Sequence, residues 1–288
     1  MTKPLTLMIV HAHPDDEVIG SGGTFARYSE EGLRTVLVTA TLGEEGEIVV
    51  ADLNTPEVKA RLAEVRREEL RRAATIIGIA HQEFLGYRDS GMAGTPSNDH
   101  PACFHQADRA EAAGRLARLI RAHQPDVLVS YNAHGGYGHP DHIACYHATQ
   151  VAFDAAADPA RYPEAGPAWA PAKLYEMNRP REVTRQAWER MRERGLKTPL
   201  DNPNYNIESF TSPDEVITTT IDVARYMVRK RAALLEHRTQ IAVDGPFLSM
   251  PEDLARDWFG VEYFTLVRSR VPAPPRDGYE TDLFAGLR

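Results

Sequence analysis

Apolar and polar positions come in alternating blocks along the first half of the chain. An apolar run at 5–10 (LTLMIV) ends at His11 and reads as a short strand. Residues 23–32 (GTFARYSEEG) read as helix stopped by Gly32, and 34–41 (RTVLVTAT) as a strand rich in β-branched residues. Apolar positions three and four apart predict a helix over 57–78, with Gly78 at its end. A brief strand at 83–87 (EFLGY) precedes a loop of turn residues at 88–102. A helix at 109–123 and a strand at 126–132 (DVLVSYN) follow. Repeated strand-then-helix units of this spacing predict an α/β fold: a Rossmann-like, mainly parallel sheet with helices on both faces, elaborated in the C-terminal half.

After about residue 150 the pattern loosens. The alanine- and proline-rich stretch 155–173 reads as an irregular excursion, KLYEMN (173–178) as a fifth strand, 222–237 as a helix and VEYFTLVRS (261–269) as a late strand. PAPPR (272–276) and a tail come last. There is no solenoid repeat and no low-complexity tract. One domain over 1–288 is expected, with the core in 1–150 and a substrate cap plus the remaining sheet elements in 151–288.

The candidate chemistry sits where two strands end. VHAHPDDE (10–17) follows the first strand directly, and GGYGHPDH (135–142) follows the strand at 126–132. Open parallel sheets form their sites outside the carboxyl ends of strands. Both segments contain His-Pro-Asp. Proline biases its predecessor away from α and suits the first helical position, so each motif is expected to cap a helix start. The residue after the aspartate then lies near the first turn. On that geometry His13 and Asp16 converge on one point and His142 reaches it from the neighbouring strand end.

Two imidazoles and a carboxylate form the ligand set of many catalytic zinc sites, with positions left open for water and substrate. Asp15 lies beside these ligands and can act as general base on a metal-activated water. Protonated His139, on the opposite side, can stabilise an oxyanion and then protonate a leaving amine. Asp141 is expected to orient His139 from behind. Metal, base and electrophilic histidine together describe hydrolysis of an amide or ester. His11, His134 and His147 read as structural or outer residues, and Glu17 as no more than a helix-start carboxylate.

Charge and cysteine content narrow the classes. A net charge of −8, with no basic block, argues against a nucleic-acid partner and against an anionic membrane surface. Cys103 and Cys145 stand outside any CxxC pair, which argues against a disulfide framework or a cysteine zinc site. The N-terminal segment is too short for a signal-peptide core or a membrane span, so a cytoplasmic enzyme is expected. The partner expected is a small molecule; assembly into a homo-oligomer is left open.

At these residues the sequence resembles the PIG-L/LmbE-like de-N-acetylases, zinc-dependent enzymes that remove acetyl groups from N-acetylglucosamine derivatives. The two hallmark motifs stand here as AHPDDE (12–17) and HPDH (139–142). TLGEEGE (41–47), RDSGMAGT (88–95), GGYGHPDH (135–142), HRTQ (237–240) and ETDLFAGL (280–287) resemble the branch of mycothiol biosynthesis. That branch includes the N-acetylglucosaminyl-inositol deacetylase and its sister, the mycothiol S-conjugate amidase. The resemblance implies His13, Asp16 and His142 as metal ligands, Asp15 as base, His139 as the oxyanion-stabilising group and Asp141 behind it. It implies Arg66 and Asp89 as partners of sugar or inositol hydroxyls, Glu47 as a mobile or substrate-adjacent residue, and Tyr137 as a polariser of the amide carbonyl. The implied cofactor is zinc; ferrous iron fills similar sites. Residues 150–210 do not match that branch and are expected to shape the aglycone end of the pocket. The acceptor is therefore open between inositol, malate, another sugar and a lipid.

Other classes share parts of this pattern. Two histidines and a carboxylate also form the facial triad of non-haem iron oxygenases, but the extra acid–base pair argues against one. GSGG (20–23) resembles a glycine loop only superficially, since GxGxxG is absent and the glycines come late after the strand. A non-catalytic binding module has no use for a base beside the ligands.

Overall fold

The computed structural model describes residues 3–245, 247–272 and 278–288; the proline-rich stretch lies outside the described residues from 273 onward. Seven strands form one sheet among these residues: β1 (Thr6–His11), β2 (Arg34–Thr39), β3 (His81–Phe84), β4 (Val127–Tyr131), β5 (Lys173–Asn178), β6 (Thr219–Asp222) and β7 (Val261–Ser269). Their spatial order is β3-β2-β1-β4-β5-β7-β6. The first five in that order run parallel, and β7 is antiparallel to both β5 and β6. The α/β reading of a mainly parallel sheet with added C-terminal strands describes this architecture.

The helices are α1 (Asp16–Glu30), α2 (Pro56–Ala60), α3 (Leu62–Ile77), α4 (Arg109–His123), the single turn α5 (Gly135–Gly138), α6 (Pro140–Ala155), α7 (Arg181–Glu193), α8 (Met227–Leu234) and α9 (Glu252–Phe259). The unbroken apolar run of β1 follows from its place between β2 and β4 with both faces covered. Leu7 and Ile9 pack with Phe25 of α1, Leu70 of α3 and Leu234 of α8. Met8 and Val10 face the other way, toward Leu116 of α4 and Ala152 of α6.

Several boundaries differ from the sequence expectation. The helix expected at 23–32 begins at Asp16, directly behind the first motif. The helix expected over 57–78 is two, because Arg61 takes φ −129°, ψ 28°; the second ends as expected at Gly78, which is left-handed at φ 77°. The helix expected at 222–237 is shorter, its first residue closing the unforeseen strand β6 and its middle forming α8. Helices α7 and α9 were also unforeseen. They carry their own small core of Trp188, Met191, Leu254 and Trp258, set off from the sheet. The irregular stretch after α6 wraps around the buried Arg121, whose guanidinium donates to the carbonyls of Ala155, Ala156, Asp158, Arg161, Tyr162 and Gly166.

The tail motif ETDLFAGL straps the far side of the sheet. Glu280 accepts from Lys173 at 2.7 Å and from the Tyr175 hydroxyl at 2.6 Å, all three buried. No helix among the described residues is long and apolar enough to cross a membrane.

Strand order reverses at β1: the next strand in sequence, β2, pairs on one side and β4 on the other. The crevice beyond the carboxyl ends of β1 and β4 is where such sheets hold ligands, and both His-Pro-Asp motifs open onto it.

Candidate active site

The two motifs leave their strands differently. His139 caps α6 by accepting from the Asp141 backbone N–H, with Pro140 in the first turn, as the proline argument expects. At the first motif the helix starts two residues later, at Asp16, and Asp15 is left outside it at φ 113°, ψ −32°. A non-glycine residue there is strained and persists only when its surroundings hold it. Three groups do so. Arg66 donates to the Pro14 carbonyl at 2.6 Å and to the Asp15 carboxylate at 3.2 Å, and Glu17 accepts from the Asp15 backbone N–H at 2.8 Å.

His13, Asp16 and His142 come together. His13 Nδ1 lies 3.3 Å from His142 Nε2, and Asp16 Oδ2 lies 3.4 Å from each. Ligand atoms at ~2.0–2.1 Å around a tetrahedral zinc stand about 3.3–3.4 Å apart, so these three fit one face of such a site. The nitrogens facing away are also engaged in the manner of metal ligands. His13 Nε2 is 3.3 Å from the Asp141 carboxylate, and His142 Nδ1 is 3.0 Å from the Gly135 carbonyl. Gly135 sits at φ 65°, where a Cβ would come within 2.7 Å of the His142 Cβ, so only glycine brings that carbonyl so close. His13, His139 and His142 each offer a nitrogen within 4.8 Å of the others, and His13, Asp89 and Asp141 form a second such group.

Asp15 stands beside the triad with its carboxyl pushed up to about 6 by burial, against the pull of Arg66. Arg66 is buried in α3, while Arg67 next to it is exposed and lies over the Phe84 ring. Because two of its nitrogens serve Gly43, Pro14 and Asp15, Arg66 acts here on the base; its Nε is buried without a partner. Gly43 makes this possible: at φ 66° its Cβ would fall 1.9 Å from the Arg66 guanidinium.

Two expectations for the second motif are corrected. The Asp141 carboxylate does not back His139; its oxygens are taken by the Ser90 hydroxyl and backbone N–H and by His13. Burial, with His13 and His142 alongside, pushes His139 down to about 3, which favours the neutral imidazole over the protonated one expected. Its Nδ1 accepts from the Asp141 N–H, which leaves the ring proton on Nε2. A neutral imidazole of this kind can donate to a developing oxyanion but has no second proton for a leaving group.

Tyr137 stands edge-on to His142 with ring centroids 4.9 Å apart, and burial pushes its phenol above the ordinary range. Asp89 accepts from the backbone N–H groups of Glu45 and Gly91 and lies 3.5 Å from His13 Nε2, so it both builds the 88–95 turn and faces the triad. Glu47 is exposed at the rim. Asp15, Asp16, Arg66, Asp89, Glu47, Tyr137 and His139 all line one cleft of about 420 Å³.

Several participants escaped the sequence reading. Tyr131, at the end of β4, donates to Asp16 at 2.7 Å and accepts from the Ala12 N–H at 3.0 Å. Its hydroxyl also meets His11, which bonds Ser21 and is pushed down to about 4 by burial; that fits the outer role expected of His11. Glu17 is fully buried and pairs with His237 at 2.7 Å, more than a helix-start carboxylate does. The HRTQ motif was the available signal for His237, but nothing in sequence joins it to residue 17. His134 is exposed and His147 half-buried, apart from the triad.

Comparison with other proteins follows this geometry. Residues 8–153 match the family described as PIG-L: GlcNAc-PI de-N-acetylase. A 1D-myo-inositol 2-acetamido-2-deoxy-alpha-D-glucopyranoside deacetylase of Geodermatophilus obscurus is 44% identical over 294 residues, covering 100% of this chain and 99% of its own. One of Thermobifida fusca with the same description is 45% identical, covering 97% and 98%. The first alignment therefore includes residues 150–210, which the motif comparison left unmatched. Among solved structures, N,N'-diacetylchitobiose deacetylase from Pyrococcus horikoshii superposes with a TM-score of 0.61 at 20% identity, covering 91% of this chain and 82% of its own. The 4-carboxy-2-hydroxymuconate hydratase of Pseudomonas putida superposes nearly as well, at 0.60 and 24% identity, covering 94% and 100%. Shared fold alone thus spans different reactions. The motif residues at both strand ends, the matched segment and relatives aligned over the whole chain agree: this chain belongs to the PIG-L family of de-N-acetylases.

Proposed function

We propose that this chain is a metal-dependent amide hydrolase that removes the acetyl group from an N-acetylglucosamine conjugate, with N-acetylglucosaminyl-inositol as the substrate. The observation that carries the reading is the triad of His13, Asp16 and His142 with Asp15 held beside it. The relatives described as deacetylases of that inositol glycoside supply the substrate. Residues 1–288 act as one deacetylase domain in this reading, in the cytoplasm.

His13, Asp16 and His142 would hold the cation, zinc or, alternatively, ferrous iron. When bound, it supplies a Lewis acid that polarises the amide carbonyl and makes water more acidic. Asp15 takes a proton from the attacking water, held in place by Arg66 and Glu17. The Nε2–H of His139 and the phenol of Tyr137 donate to the carbonyl oxygen as it gains charge. Since His139 carries one proton, Asp15 returns the proton it took to the departing amine. Asp89 and Glu47, which line the same cleft, would meet hydroxyls of the sugar or inositol, while Arg66 acts on Asp15.

The test is amine release from N-acetylglucosaminyl-inositol by protein stripped of metal and then loaded with zinc or with ferrous iron. Stoichiometric amine and acetate are expected from the loaded protein alone. Metal-replete protein that releases no acetate from this or any other N-acetylglucosamine conjugate would sink the reading. Faster release of a cysteinyl-type acyl group than of acetate would favour an S-conjugate amidase instead.

A further inference from the structure

A second chamber, of about 160 Å³, adjoins the triad at Asp16 and His142. Asp16 and Tyr137 line both spaces, so the triad stands at the boundary between them. The chamber walls are largely apolar, with Met177, Val183, Phe210 and Trp258 among them. Phe210 stacks on Tyr137 at 14° between ring planes, so the C-terminal half builds this wall directly against Tyr137.

Two cations face the chamber, and they differ. Lys230 is paired with the buried Glu262 at 2.6 Å. The guanidinium of Arg179, just beyond β5, has no hydrogen bond or ion pair among the described residues; it lies 5.8 Å from the Trp258 ring, with the Tyr205 and Tyr137 phenols in its electrostatic surroundings. Arg179 is half-buried, and a carboxylate arriving in the plane of a guanidinium without an anionic partner gains two parallel hydrogen bonds.

Amide geometry says what enters. The acyl chain and the sugar carbon lie on opposite sides of a planar trans amide. With the sugar in the polar cleft and the carbonyl at the triad, the acyl chain points into the second chamber. An apolar cavity of about 150 Å³ holds benzene, roughly six heavy atoms, whereas acetyl puts one methyl beyond its carbonyl. The chamber is larger than its acetyl occupant by several atoms, and Arg179, without an ion pair among the described residues, lines it.

We propose that this chamber is an acyl pocket, and that the chain also hydrolyses glucosaminyl amides whose acyl chain is longer than acetyl and ends in a carboxylate held by Arg179. The inference rests on the deacetylase reading. A succinyl amide fits, with two methylenes and a carboxylate beyond its carbonyl. The amide C–N bond breaks, the water oxygen bonds to the acyl carbon, and its proton goes to the amine. Succinate and the free amino sugar leave, and no other reactant is required.

The experiment follows amine release by the metal-loaded chain from N-acetyl-, N-butyryl- and N-succinyl-glucosaminyl-inositol. The succinyl amide is expected to show a kcat/KM at least tenfold above the neutral butyryl amide. Arg179→Gln is expected to lower the succinyl-to-acetyl ratio of kcat/KM at least tenfold, and Arg179→Lys to restore part of it. Acetyl turnover in the same preparation reports that the variant is folded; if it is lost, the succinyl–butyryl comparison in the unaltered chain decides alone. Succinyl turnover no faster than butyryl, or a ratio unchanged in Arg179→Gln, overturns the acyl pocket. Acetyl release without succinyl release overturns it too and leaves the deacetylase standing. No amine from any of the three overturns both.

Discussion

The guanidinium of Arg66 lies 3.2 Å from the carboxylate of Asp15 while holding the backbone carbonyls of Pro14 and Gly43 at 2.6 Å each. One planar fork thus fixes the strained residue and the loop across the cleft. A lysine is a point charge and cannot serve three acceptors in that geometry. Arg66→Lys is expected to lower kcat about a hundredfold, the scale of an ångström's misplacement of a catalytic group, with bound metal unchanged. Steady-state kinetics beside metal analysis checks it; a matching loss of metal would assign Arg66 to the wrong partner.

Asp15 must be ionised to act as base, so activity rises with pH through its titration. Burial pushes the carboxyl up to about 6, and a bound cation moves it down. The acid limb of the kcat/KM profile is therefore expected at or below about pH 6. Asp15→Asn should lose roughly 10²–10⁴ in rate while keeping its metal. An acid limb above pH 7 contradicts this assignment.

Tyr131 shapes the triad without joining it. Removing its hydroxyl leaves Asp16 and the Ala12 N–H each short of a buried partner. Tyr131→Phe is expected to destabilise the fold by about 1–3 kcal/mol in urea melts and to weaken metal binding about 10–100-fold. Metal affinity equal to that of the unaltered chain would show that Asp16 needs no such support.

Metal loading should be visible in stability, because the triad exists only in the folded chain. At a cation concentration a thousand times its Kd the gain is about 4 kcal/mol. Thermal melts with and without zinc are expected to separate clearly for the unaltered chain and to coincide for Asp16→Ala. A shift that survives Asp16→Ala places the cation elsewhere.

Glu176 offers a pH test away from the site. Burial pushes its carboxyl from 4.5 up to about 7. Between those values the folded chain keeps a proton that the unfolded chain releases, so unfolding free energy falls as pH rises through that window. Glu176→Gln removes the effect. The variant is expected to gain on the unaltered chain from pH 4.5 to 7 and to hold a constant advantage above; parallel stability curves across that range would rule the effect out.

Much of the core was legible because local patterns carry it. The continuous apolar run of β1, the helix at 109–123 and Gly78 at a helix end each have a local physical reason and stand where they were read, whereas the helix read over 57–78 breaks at Arg61. Helices α7 and α9 were illegible because their apolar faces meet each other rather than the sheet. Leu254 and Trp258 make sense only beside Trp188 and Met191, more than sixty residues away in a chain where proline and alanine interrupt the pattern.

The sequence by itself determined which residue types meet at the crevice. Two His-Pro-Asp segments at two strand ends place His13, Asp16 and His142 at helix starts, since apolar runs and proline geometry are locally encoded; the pairing of β1 with β4 brings them together. Tertiary structure decided what each neighbour does. Asp141 faces His13 because Ser90 holds it from a separate loop; His139 is neutral because the fold buries it among other imidazoles; Arg66 turns inward because Gly43 makes room. Protonation, strain and the choice of partner depend on desolvation and on contacts between segments distant in the chain, and a linear motif specifies neither.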